Sequence, residues 1–323
     1  MKKQKISVVI PCYKSEKMIE TVVEQVLKTI TSHEEFDYEI ILVNDGSPDQ
    51  TWAVIQKLAE NNSHIFAINF SQNFGQHSAL MAAYRMVSGD IILGLDDDGE
   101  HNPKEMFQLI EKLQEGYDYV CADYNTNQSK FRSIGTWINN LMATILIGKP
   151  KSVNFSSYYA MRRFVINEII RYERPYPYVG GLLLRATKNI ASVPLKRQKR
   201  LEGKSGYSLK KMLQLWINGF TAFSVKPLRI ATALGLVCAI IGFIWAAVLI
   251  IKRLFFVNYV PGYVSTIVCI VFFSGMIMML LGITGEYIGR IYISINNAPQ
   301  YVIREVAGLG KKEEDDPNGD SLE

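Results

Sequence analysis

Cysteine, proline and net charge are all scarce in this sequence. Its four cysteines, at positions 12, 121, 238 and 269, form no C-x-x-C pair and lie far apart. Neither a zinc cluster nor a disulfide framework is expected, and the pattern fits a reducing compartment. Eleven prolines among 323 residues, with 48% apolar and 20% charged residues, exclude disorder and collagen-like repetition. The apolar mass suffices for about two domains. Lys and Arg total 35 against 31 Asp and Glu, leaving +4. That excess is too small and too dispersed for a protein organised around a nucleic-acid backbone, so no nucleic-acid partner is expected. No G-x-G-x-x-G follows the first apolar run and no G-x-x-x-x-G-K-[ST] occurs, which removes the usual dinucleotide and phosphate-loop readings.

What is present is unevenly distributed. Ile230 to Ile251 and Leu254 to Gly285 contain no charged residue, whereas the first 212 residues have an ordinary soluble composition. As a helix rising about 1.5 Å per residue, the first of these runs reaches roughly 33 Å, enough to cross a hydrocarbon core of about 30 Å. Two transmembrane helices are therefore expected, at 228–251 and 261–285. Met1-Lys2-Lys3-Gln4-Lys5 leads into an apolar run that stops at Pro11, too short for a signal peptide. The N-terminal domain, 1–206, is expected to stay in the cytoplasm. Phe131 to Ile147 and Leu209 to Phe223 suit helices lying along a membrane surface, which gives an interfacial helix at 131–147 and an interfacial segment at 207–227; periodicity equally allows buried helices. Two spans return the chain to its starting side, so 286–323 reads as a cytoplasmic tail, disordered from about 311.

Short β-rich runs recur at Ile6 to Ile10, Glu39 to Val43, Ile65 to Asn69, Ile91 to Leu95 and Tyr119 to Ala122, with helical patterns between most of them. The fold class is α/β, with a doubly wound, mainly parallel sheet. Ile19, Val22, Val23, Val26, Leu27 and Ile30 mark one buried face of the first helix. A later helix reads as Asn102 cap, Pro103 at its first position and Glu105 closing a capping box.

In such a sheet the ligand crevice lies beyond the carboxyl ends of the strands. Three strands end in polar residues there: Pro11-Cys12-Tyr13, Asn44-Asp45-Gly46-Ser47-Pro48-Asp49, and Asp96-Asp97-Asp98-Gly99-Glu100. Three consecutive aspartates at the mouth of a buried strand are costly unless a cation neutralises them. Alternation lets Asp96 and Asp98 point into one crevice, and hard oxygen ligands suit Mg²⁺ or Mn²⁺ bridging to a diphosphate.

These blocks, with Asn73-Phe74-Gly75, Arg200-Leu201-Glu202-Gly203-Lys204-Ser205 and Gly282-Ile283-Thr284-Gly285-Glu286-Tyr287, resemble family 2, GT-A-type glycosyltransferases. The likeness is to the membrane-bound polyprenyl-phosphate enzymes similar to dolichyl-phosphate mannose synthase and to bacterial undecaprenyl-phosphate glucosyltransferases and aminoarabinosyltransferases. It runs almost end to end. The resemblance implies that Pro11, Tyr13 and Asp45 hold the nucleotide base and ribose and that Asn73 and Gly75 line the donor pocket. Asp96 and Asp98 engage the diphosphate and metal, with Asp97 beside the nucleotide and Glu100 where relatives often carry a metal-binding glutamine. Arg200 closes over the phosphates as a catalytic cation, and Arg132, Lys204 and Ser205 serve the acceptor phosphate. The chain departs from the family at Asn44, where an aspartate is usual, and at Asn154-Phe155-Ser156-Ser157-Tyr158, where many bacterial relatives have Asp-Phe-Arg.

The expected function is inverting transfer of one sugar from a nucleotide diphosphate, a UDP-sugar by preference, to undecaprenyl phosphate. The expected location is the bacterial inner membrane, as a multi-pass protein whose catalytic domain faces the cytoplasm. Homo-oligomerisation stays open. Two alternatives carry other consequences: a glycosyltransferase extending a lipid-linked or polysaccharide chain, and a membrane scaffold or translocator for sugar lipids that has lost its chemistry.

Overall fold

The computed structural model describes residues 3–124, 155–198, 226–255, 262–295 and 298–308. They form two units, each with its own contacts, one around a sheet and one made of two long helices.

The sheet has eight strands in the order β7-β5-β6-β4-β1-β2-β3-β8. Its centre is the expected parallel set: β1 (Gln4–Cys12), β2 (Phe36–Asn44), β3 (Ile65–Phe70) and β4 (Ile91–Gly94). Helices α1 (Ile19–Ile30), α2 (Thr51–Asn61) and α3 (Gln76–Met86) connect them. Beyond β4, strand β6 (Tyr159–Arg162) runs antiparallel between β4 and β5 (Tyr119–Asp123), and β7 (Ile190–Pro194) pairs parallel with β5. Helices α4 (Met106–Gln114), α5 (Arg163–Ile169) and α6 (Val179–Ala186) complete this part.

Periodicity decides which side chains build the core. Ile19, Val22, Val23, Val26 and Ile30 of α1 are buried against Val8, Ile10, Ile40 and Leu42 of the sheet, and each such side chain contributes roughly 1.5–3 kcal/mol by leaving water. Asn102 does cap its turn, accepting from the Lys104 backbone N–H at 3.2 Å. The capping box, however, does not close. Pro103–Glu105 is a 3₁₀ turn ahead of α4, and the Glu105 carboxylate is engaged by the Lys196 backbone instead.

The segment after 286 departs from the expected tail. The second long helix continues to Ile295, and Ile303–Ala307 then forms β8, antiparallel to β3 at the sheet edge. Tyr301 stacks on Phe70 with centroids 5.1 Å apart, and Gln300 donates to the Arg174 carbonyl at 2.9 Å. An edge strand with exposed side chains leaves only a faint hydrophobic pattern, which is why the sequence concealed it.

In the other unit, α7 (Lys226–Phe255) and α8 (Tyr263–Ile295) cover both expected spans. Within α8, Phe272–Gly289 is long and apolar enough to cross a membrane; in α7 the corresponding stretch is the shorter Ala231–Gly242. The expected interfacial helices, at 131–147 and within 207–227, lie outside the described residues.

Candidate active site at the carboxyl edge of the sheet

The register of β1, β2 and β4 brings the three polar blocks to one edge of the sheet. Pro11 pairs with Val43 and Cys12 with Asn44, while Val9 pairs with Gly94. The loops that follow therefore start side by side.

Asp45 is the anchor of the donor-side loops. It is buried, and three donors converge on its carboxylate: Phe74 N at 2.7 Å, Gly75 N at 2.9 Å and Asn73 Nδ2 at 2.9 Å. Burial pushes its pKa up to about 6, against the pull of the Phe74 and Gly75 amides. Gly46 makes this approach feasible: its φ is +60°, and a Cβ there would lie 2.3 Å from the Gln72 carbonyl carbon. Gly75 (φ +92°) turns the chain into α3.

The acid triplet splits into three environments. Asp97 turns inward and accepts from the Tyr13 backbone N–H at 2.9 Å, fixing the loop after β1; burial and the neighbouring aspartates push it up to about 6. Asp96 faces a set of donors: Gln76 Nε2 at 2.9 Å on Oδ1, and His101 Nε2 at 3.2 Å with the Ser157 hydroxyl on Oδ2. Burial works to raise its pKa, but these hydrogen bonds overcome it and hold Asp96 below the usual carboxylate range. Asp98 accepts from the Glu100 N–H at 3.0 Å. Glu100 is engaged by the basic segment, with Arg197 Nε 2.8 Å from its Oε2 and Gln198 N 2.9 Å from its carbonyl oxygen.

Pro11, Tyr13, Asp45, Asn73, Gly75, Asp96, Asp97, Asp98 and Glu100 thus gather on the loops of one sheet edge. Arg132, Arg200, Lys204 and Ser205 lie outside the described residues. Sequence reasoning missed His101, Gln76, Tyr124 and Ser157. His101 is almost fully buried, stacked between Tyr124 and Tyr158, with Tyr124 Oη 2.7 Å from Nδ1. The tautomer protonated on Nε2 satisfies both ends. Ser157 sits in the segment that departs from the family pattern, and that departure was the available signal.

Among the described residues, no group of three or more His, Cys, Asp or Glu is arranged to hold a metal alone. The expected ligand trio Asp96, Asp98 and Glu100 therefore does not come together as a ready-made metal site, and Glu100 is engaged by Arg197 instead. An ionised carboxylate has about four acceptor sites, and Asp96 uses three of them within the protein.

This edge and sheet are those of a glycosyltransferase: residues 7–170 match the family described as Glycosyl transferase family 2, and residues 226–291 match the GtrB C-terminal hairpin. The chain belongs to glycosyl transferase family 2 and has its GT-A-type α/β fold. It is 32% identical to the undecaprenyl-phosphate 4-deoxy-4-formamido-L-arabinose transferase of Proteus mirabilis, over 95% of each chain. It is 31% identical to the glycosyltransferase YkcC of Bacillus subtilis, again over 95% of each. Among solved structures, glucosyl-3-phosphoglycerate synthase from Mycobacterium tuberculosis in complex with Mn²⁺ and UDP-glucose aligns with a TM-score of 0.49 and 21% identity. That alignment covers 72% of this chain and 78% of that one.

Proposed function

We propose that this glycosyltransferase moves one sugar from a UDP-sugar to undecaprenyl phosphate, with inversion at the anomeric carbon. The observation that carries the reading is the clustering of Asp45, Asp96, Asp97 and Asp98 at one sheet edge, Asp45 buried and the triplet half-buried, with no protein cation on Asp45 among the described residues. The transferase relatives are named for undecaprenyl phosphate, which supports it as the acceptor.

In this reading Tyr13, Pro11, Asp45, Asn73, Gly75 and Asp97 shape the nucleotide pocket. Asp96 and Asp98 would hold a divalent cation such as Mg²⁺ or Mn²⁺, which would supply charge neutralisation for the departing diphosphate. Glu100 stands beside this set and tethers the basic segment through Arg197. Arg200, which lies outside the described residues, is in this reading the cation closing over the diphosphate. Arg132, Lys204 and Ser205 bind the acceptor phosphate.

No general base is required. A monoalkyl phosphate has a second pKa near 6, by analogy with phosphoserine, so at neutral pH it is mostly a dianion and already nucleophilic. Asn154-Phe155-Ser156-Ser157-Tyr158 in place of Asp-Phe-Arg is compatible with this chemistry: Ser157 joins His101 in favouring the ionised form of Asp96 and removes no proton. The protein then has to place the phosphate in line with the anomeric carbon and exclude water.

The domain reading is a cytoplasmic catalytic unit, interfacial segments and two transmembrane helices within α7 and α8, in the bacterial inner membrane. Strand β8 supports an even number of crossings. It follows α8 in sequence yet belongs to the sheet built by strands preceding α7, and a chain crossing the bilayer once between them would end on the wrong side to pair.

The test is to supply the membrane-embedded protein with UDP-sugars, Mn²⁺ and undecaprenyl phosphate. Lipid-dependent release of UDP and a product carrying one sugar on the lipid phosphate are expected. Release independent of the lipid, or a lipid carrying several sugars, would overturn the reading.

A further inference from the structure

Asp96 is held from three elements. Gln76, the first residue of α3, donates to Oδ1, while His101 from the turn after β4 and Ser157 from the segment before β6 both reach Oδ2. Of these supports, His101 has a scaffold of its own. It is 1% exposed, and Tyr124 and Tyr158 stack on its ring with centroids 5.7 and 5.1 Å away. Tyr158 Oη donates to the carbonyl of Asn102, the next residue, at 2.9 Å, and the Tyr158 carbonyl accepts from the Ala122 N–H at 2.9 Å. Tyr124 follows β5 directly, and Arg197, paired with Glu100, lies over its ring at 5.3 Å. Packing on both tyrosines restrains rotation of the imidazole.

The two ring nitrogens meet different groups. Nδ1 lies 2.7 Å from Tyr124 Oη, whereas Nε2 lies 3.2 Å from Asp96 Oδ2 and 3.1 Å from Ser157 Oγ. A neutral imidazole has one donor and one acceptor. With the proton on Nε2, the ring donates to the carboxylate and accepts from the phenol. With the proton on Nδ1, a nitrogen lone pair would face the lone pairs of Asp96, and the carboxylate would have to turn away. The phenol at the far end of the ring therefore bears on the orientation of a carboxylate it does not touch.

We propose that Tyr124 and His101 are positioning residues that act through Asp96: the phenol fixes the imidazole, and the imidazole keeps the carboxylate in one orientation for the cation of the donor diphosphate. The inference rests on the donor reading above. A ring present only to fill the core would need no polar atoms, and a buried nitrogen left unpaired is destabilising. Groups that orient a metal-binding side chain are typically worth about 10- to 100-fold in metal affinity or activity.

The experiment has two arms, both on the full-length protein. In the first, histidine is isotopically labelled at its ring nitrogens; the sequence has four histidines, and the His101 resonances are those missing from His101→Gln. The neutral His101 ring should carry its proton on Nε2, and Tyr124→Phe should shift the Nδ1 resonance, since that nitrogen loses its donor. A wild-type ring protonated on Nδ1 would overturn the inference without recourse to any variant. In the second arm, Mn²⁺ affinity in the presence of UDP is read by electron paramagnetic resonance. His101→Leu should weaken it about tenfold or more. Tyr124→Phe, which keeps the ring and loses only the hydroxyl, should weaken it about threefold to tenfold. His101→Gln, whose amide N–H can still reach Asp96, should recover part of the loss. A merely structural role would lower the amount of folded protein and leave the affinity of the remainder unchanged, and should His101→Leu not fold, Tyr124→Phe decides. Equal affinity in wild type and Tyr124→Phe would overturn the positioning roles alone. A wild type that binds UDP but no Mn²⁺ would instead overturn the cation reading on which they rest, so the two failures are distinguishable.

Discussion

Strand β2 holds the buried carboxylate Glu39, and Asp45, also buried, follows its carboxyl end; their surroundings differ in kind. Glu39, toward the amino ends of the strands, is fully answered: Lys5 Nζ lies at 2.8 Å, Ser7 Oγ at 2.6 Å and Ser88 Oγ at 2.7 Å. Burial alone would raise its pKa, but the Lys5 and serine hydrogen bonds outweigh it and the net shift is downward. Among the described residues Asp45 meets only amide N–H groups, and burial pushes it up to about 6. One end of the sheet spends its polar contacts on its own stability. The other end leaves Asp45 without a countercharge among the described residues, at the side where sites lie in parallel sheets.

The sharpest way to break this contrast is Asp98→Ala. It should lower lipid-dependent UDP release by about 10³-fold, roughly 4 kcal/mol of transition-state stabilisation, with no recovery in excess Mn²⁺. A full rate under limiting metal would remove the carboxyl edge from the chemistry.

Next comes pH. The folded pKa of Asp45, about 6, exceeds its unfolded value near 3.8, so its contribution to stability is complete below the unfolded value and is lost as pH rises through about 6. That loss is on the order of 3 kcal/mol. Glu39 has the opposite sign: its folded pKa is depressed below 4.5, so its contribution is present above that value and lost as pH falls through the folded pKa. Denaturant titrations across pH 4–7 should show a slope flattened by Asp45→Asn and left intact by Glu39→Gln; the same slope in all three proteins would refute the assignment.

Glu39→Ala should cost about 2 kcal/mol by stranding Lys5, Ser7 and Ser88, yet leave the affinity for UDP unchanged by calorimetry. A loss of UDP binding in this variant would mean the two ends are not separate.

The smallest effect probes the returning strand. Glu305 accepts from Trp52 Nε1 at 3.1 Å and from Asn69 Nδ2 at 3.4 Å; Asn69 Oδ1 accepts from Asn44 Nδ2 at 2.8 Å, and Asn44 Oδ1 from Ser47 N at 3.3 Å. The chain of amides links the strand after α8 to the loop after β2. It also gives Asn44 a local reason: its amide donates where an aspartate would present a second acceptor to Asn69. Glu305→Ala should raise the donor KM about threefold to tenfold with the lipid KM unchanged, read from steady-state kinetics.

The central fold was legible because strands β1 to β5 are short apolar runs ending in turn residues, and α1 repeats its apolar positions at helical spacing. Strands β6 and β7 were not, since Tyr159–Arg162 and Ile190–Pro194 are short and adjoin helices. At the site, acidic residues in a local run advertise themselves; His101 and Gln76 do not, because each sits in an ordinary stretch of polar sequence.

By itself the sequence determined the α/β class, the edge on which the polar loops gather, the acid triplet and two charge-free runs of membrane length. These are written in local periodicity and in residues adjacent along the chain. Only the tertiary structure decided that Asp97 turns inward while Asp96 faces Gln76, His101 and Ser157, and that the chain returns after α8 to close the sheet. Those outcomes depend on which distant segments pack together, and burial, not residue type, then sets whether a carboxylate carries charge.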